Sequence, residues 1–90
     1  MDVNLRDNRQ STPLHLAAGR GCEAICRLFV ENGADMKAQD EIRRTPLHDA
    51  IWNGQEAVCR FLVAQGASLD AKDDEDLTPM QQAIARHHDT

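Results

Sequence analysis

Two histidines stand in the same four-residue setting, Thr12-Pro13-Leu14-His15 and Thr45-Pro46-Leu47-His48. A pair of imidazoles is the commonest start of a metal or proton-transfer site, so their spacing decides whether such chemistry is in prospect. If the recurrence marks two stacked copies of one unit, the helices carrying them lie ~8–10 Å apart, too far between backbones to guarantee a shared ion. Cys22 and Cys26 are four apart and would lie on one helix face, but that spacing alone makes neither a disulfide nor a zinc site. A thiol–imidazole nucleophile needs the two groups oriented together. Here the cysteines fall on a second helix of each unit and the histidines on a first. Asp73-Asp74-Glu75-Asp76 reads as a solvated turn tip, because a calcium loop alternates its ligands and contains a required glycine. Gly19-Arg20-Gly21 lacks the spacing and lysine of a phosphate cradle. His87 and His88 read as exposed tail residues. No catalytic residue, metal ligand or cofactor is therefore expected, and the chain is not expected to be an enzyme.

Composition bounds the rest. The 90 residues make one small domain, 41% apolar and 28% charged, with one Trp, no Tyr and a net charge of −5. A domain this size buries a modest share of its unfolded surface and is only marginally stable. An acidic balance disfavours nucleic acid, which is held by clustered Lys and Arg. The short apolar runs exclude a transmembrane helix, and no basic helix suits a membrane surface. Three cysteines, an odd number, with no signal-peptide pattern ahead of them, point to a reducing cytoplasmic or nuclear setting.

The elements that position these residues come from an internal repeat. Residues 7–39 align without a gap to 40–72 with 15 identities in 33 positions: Asp7/Asp40, Thr12/Thr45, Pro13/Pro46, Leu14/Leu47, His15/His48, Ala17/Ala50, Gly21/Gly54, Glu23/Glu56, Ala24/Ala57, Cys26/Cys59, Arg27/Arg60, Val30/Val63, Gly33/Gly66, Ala34/Ala67 and Ala38/Ala71. Residues 1–6 match the tail of a unit, and 73–90 match a unit's first helix only. In each unit a threonine offers its hydroxyl to a helix start and the following proline suits the first helical position. That first helix ends near Gly21 or Gly54. A second runs from Glu23 to about Asn32 and from Glu56 to about Gln65, with Ile25, Leu28 and Phe29, and their counterparts Val58, Phe61 and Leu62, as a buried stripe. So short a helix pair needs a stacked neighbour to cover its apolar face.

TPLHLAAGRG, ENGADMKAQD, TPLHDAIWNG and AQGASLDAKD resemble the ankyrin repeat over essentially the entire chain. The resemblance implies an all-α repeat solenoid of antiparallel helix pairs with β-hairpin or turn connections, two full units plus partial units at both ends. It gives His15 and His48 a structural part, bonded near the threonine and the adjacent loop. The chain departs from the family where a finger residue usually glycine is Gln10, Arg43 and Asp76; each costs on the order of 1 kcal/mol if φ stays positive, less for the Asp. Met80, Gln81 and Gln82 make the last helix more polar than its predecessors. The interrupted front unit suggests a segment cut from a longer array, with the last helix fraying first.

By the same resemblance the function is non-catalytic protein–protein interaction, a partner peptide or domain binding the concave face of finger tips and first helices. The alternative is a structural spacer within a longer array. The positions carried over are Asn8, Arg9, Ser11, Leu16, Gly19 and Arg20; Glu41, Ile42, Arg44, Asp49, Trp52 and Asn53; and Asp74, Glu75, Leu77, Gln82, Ala85 and Arg86. Among these Trp52, Ile42, Arg44, Arg20, Arg9, Asp49, Asn53 and Arg86 are the expected partner-binding residues. Trp52 leads, since Gly19 and Ala85 hold the matching places and Trp and Arg dominate binding hot spots. The partner suited to them has an apolar anchor and carboxylates. Apolar ends also suggest stacking between molecules. Asn4 occupies a position that family members present to an asparaginyl hydroxylase, and is a possible hydroxylation site.

Overall fold

The computed structural model describes residues 3–87, with side chains described to residue 85. Five helices follow one another: α1 (Pro13–Arg20), α2 (Glu23–Glu31), α3 (Pro46–Trp52), α4 (Glu56–Ala64) and α5 (Pro79–His87). Within a unit α1 packs on α2 and α3 on α4; between units α1 packs on α3, α3 on α5 and α2 on α4. First helices thus form one layer and second helices another, in a body of 40 × 25 × 20 Å. The core between them holds Leu14, Ala18, Cys26, Leu47, Ala50, Val58 and Leu62, each at most 1% exposed. Alanines in this seam let the helix backbones approach closely, because they add little volume at the crossing.

Each first helix starts on a box closed in both directions. The Thr45 hydroxyl accepts the His48 backbone N–H at 3.4 Å, and His48 Nδ1 accepts the Thr45 N–H at 3.1 Å. His48 plays the part usually taken by Glu or Gln in such a box. Thr12 and His15 do the same. Gly21, past the end of α1, is left-handed at φ +76°, and a Cβ there would collide with the Gln55 carboxamide, whose Nε2 donates to the Gly19 carbonyl at 3.1 Å.

The connections are turns, with no strand among the described residues. In the second finger the Asp40 N–H donates to the Arg44 carbonyl and the Arg43 N–H to the Asp40 carbonyl, both at 2.9 Å. Asp40 Oδ1 accepts from the N–H groups of Ile42 and Arg44. Asp7 and Asp73 repeat the pattern. Gln10, Arg43 and Asp76 are the non-glycine residues at positive φ, +63°, +64° and +66°, where the sequence placed the strain. Successive fingers are joined by Glu41 N–H to Arg9 O and Asp74 N–H to Ile42 O.

Two expectations are corrected. Ile25 and Leu28 are 43% and 48% exposed, although their counterparts Val58 and Phe61 are buried. The reason is position: α2 covers that face of α4, and no helix among the described residues covers it on α2. Nor do Cys22 and Cys26 share a helix face. The helix begins at Glu23, leaving Cys22 exposed on the cap while Cys26 turns into the core. Burial pushes the Cys26 thiol up to about 11, so it is inert.

Candidate binding groove

Fingers one and two and helices α1 and α3 enclose an open groove of about 630 Å³. Six of the expected residues, Arg9, Arg20, Ile42, Arg44, Asp49 and Asn53, line it. Trp52 lies on the next depression, about 280 Å³ between fingers two and three, which it shares with Arg44, Leu77 and Gln82. Arg44 belongs to both, and its guanidinium lies 4.7 Å from the centroid of the Trp52 ring. The Arg86 side chain lies outside the described residues. The Asn4 carboxamide donates to the Gly33 carbonyl at 3.3 Å and accepts the Asp35 N–H at 2.8 Å, so it ties the front segment to the first unit.

Asp7, His15 and Asp40 also line the first groove and were not among the expected residues. Each repeats in register as a fold-forming residue, and nothing in a repeated Asp or His says that it also faces a cleft. His15, Asp40 and Asp49 each place a possible ligand atom within 4.8 Å of the others. The imidazole has no lone pair to offer an ion. Nδ1 takes the Thr12 N–H, which leaves the proton on Nε2, and Nε2 donates to the Arg44 carbonyl at 2.7 Å. Burial lowers the His15 pKa and keeps the ring neutral, against the smaller pull of that carbonyl and Asp40.

Asp49 is of another kind. Burial, with Asp40 adding repulsion, pushes its carboxyl up to about 7, only partly opposed by Arg44. An isolated carboxylate taken from water prefers to hold its proton. The groove floor therefore carries an acid whose pKa lies near neutrality, with Arg9, Arg20 and Arg44 on the same lining. The arrangement thus sets charged, polar and apolar side chains along one open groove.

A family model for ankyrin repeats, in three copies, matches residues 1–73.

Proposed function

Because the chain belongs to the ankyrin-repeat family, whose members are generally non-catalytic protein–protein interaction modules, we propose that it binds a partner peptide or domain along the concave groove. The observation that carries this reading is the groove itself: its lining is drawn largely from positions at which the repeats differ, including Arg9, Arg20, Ile42, Arg44 and Asp49. Residues the fold does not require are free to answer a partner. Trp52 on Arg44 supplies the anchor pair typical of hot spots. Three unpaired cysteines support a reducing, intracellular setting.

Trp52→Ala tests it. Quantitative mass spectrometry of proteins captured from lysate should show interactors lost from the variant while its circular dichroism stays that of the parent. Unchanged capture would refute the concave-face reading, and lost helicity would make Trp52 structural.

The spacer reading has its own support, because apolar side chains lie open at both ends of the stack, Ile25 and Leu28 on α2 and Leu69, Met80 and Ile84 at the other. Such faces suit a further unit or a second molecule. Sedimentation equilibrium decides self-stacking: a weight-average mass rising with concentration, and reduced by Leu28→Glu, is the expected result.

A further inference from the structure

The depression between fingers two and three contains polar groups that no described neighbour satisfies, and what they imply rests on the concave-face reading above. Gln82, on α5, is 2% exposed, and neither its Nε2 nor its Oε1 has a hydrogen-bond partner among the described residues; the buried Arg44 Nε is a third such atom. Both residues line the same pocket, beside the Trp52 ring. Buried polar atoms without partners are few in native folds, and each calls for a ligand or a structural reason. The fold supplies no reason. Gln82 matches Leu16 and Asp49 in the other units, so the position accepts a leucine and does not demand an amide.

The three atoms specify what would satisfy them. Arg44 Nε and Gln82 Nε2 donate, and Gln82 Oε1 accepts. A carboxylate would take both donors but set its charge against Oε1. An ammonium would reach only Oε1, with the Arg44 charge against it. An amide carries both halves: its carbonyl accepts from Gln82 Nε2–H and Arg44 Nε–H, and its N–H donates to Gln82 Oε1, closing a reciprocal pair. Because Gln82 is shut away at the pocket floor, a main chain running along the groove does not descend to it, whereas a side chain two or three carbons long does. Entry of such a side chain requires Trp52 and the Arg44 stacked on it to turn aside. The geometry points to a carboxamide pocket in which Gln82 and Arg44, beside Trp52, read the side-chain amide of an Asn or Gln on the partner segment.

The test uses the full chain, labelled with ¹⁵N, and N-acetyl-glutamine N′-methylamide as the probe. The Gln82 side-chain amide and Trp52 indole N–H resonances should shift and saturate with a dissociation constant on the order of 1 mM, the range for a ligand of this size. The corresponding glutamate and leucine derivatives should bind roughly tenfold more weakly or not at all, since an amide-reading site left with unmatched polar groups rejects the analogue. Gln82→Leu should abolish the response and raise the melting temperature by roughly 4–8 °C, because it removes two orphaned polar atoms at a site where leucine is accommodated in register. A lower melting temperature in that variant would make Gln82 structural and overturn the proposal. So would tighter binding of the glutamate probe, an equal response to N-acetyl-alanine N′-methylamide, which offers main-chain amides alone, or no response to the glutamine probe. Interactor loss in Trp52→Ala without a probe response would remove the carboxamide pocket and leave the concave-face reading standing; a probe response with unchanged capture would do the reverse.

Discussion

His48 and Asp49 are consecutive residues of α3, both drawn away from bulk water, and their surroundings are opposite. His48 is 0% exposed and fully used: Nδ1 holds the cap of its own helix, and Nε2 donates to the Leu77 carbonyl of the next unit at 3.0 Å. Asp49 has no hydrogen bond or ion pair to its carboxylate among the described residues, and burial, with Asp40 adding repulsion, has moved its pKa to about 7. One residue further round the helix thus separates a polar group that builds the stack from one that the stack leaves wanting. The same step in α5 separates Gln81, whose Oε1 accepts the Thr78 N–H at 3.0 Å, from the unpaired Gln82. Satisfaction, more than burial, divides scaffold from the proposed binding surface here.

That division can be broken from either side. The largest effect is expected for His48→Ala, which strands the buried Thr45 N–H and the Leu77 carbonyl; urea unfolding should show a loss of about 3 kcal/mol. A loss below ~1 kcal/mol would mean that these bonds do not hold the units together. Asp49→Asn acts oppositely and through pH. The unfolded carboxyl ionises near 3.8 and the folded one near 7, so between those values the folded state holds the extra proton and stability falls as pH rises. A complete shift would be worth ~4 kcal/mol; solvent at the half-buried groove floor reduces this to roughly 1–2 kcal/mol. His15 opposes it, since its lowered pKa gains stability as pH climbs towards 6.5. The difference between parent and Asp49→Asn melting curves from pH 4 to 8 isolates the carboxyl: the variant should gain steadily up to about pH 7, and a flat difference would return Asp49 to the satisfied class. The smallest effect is that of Thr45→Ala, ~1 kcal/mol for a lost cap, read by the same unfolding experiment. Its value sharpens the contrast, because His48 keeps its bond to Leu77 in that variant and the two contributions separate.

Much of this architecture was legible in the sequence. Thr-Pro at Thr12 and Thr45 marked the helix starts to the residue, and the repeat itself required stacking. The residues at positive φ stood where a glycine was missing. Periodicity identified the apolar face of α2, but not that Ile25 and Leu28 would be left open, since coverage depends on a neighbour and not on the face. For the groove, register gave lining positions, including Arg44, Trp52 and Gln82, although Gln82 proves to be buried and not exposed. It did not give the approach of Asp49 to Asp40, nor the lie of Arg44 on the Trp52 ring, because both depend on how the second finger sits over α3 within its own unit. The unpaired state of Gln82 was equally invisible: a glutamine in a polar-looking final helix reads as a surface residue until its neighbours are seen.

The bonds that join successive units also have a mechanical meaning. Arg6 donates to the Gln39 carbonyl and Gln39 to the Lys72 carbonyl, each to its own equivalent one unit on. Beside this chain run the finger-to-finger backbone bonds and the histidine bonds to Arg44 and Leu77. The stitching lies on the finger and first-helix side, whereas α2 and α4 meet through side chains alone in what is described of their contact, including Arg27 over the Phe61 ring. Pulled along its axis, the protein should behave as springs in series, stiff on the concave edge and compliant on the convex one. Flexing would therefore change the curvature of the groove before it breaks a junction, so a partner gripping the concave edge grips the inextensible side of the spring.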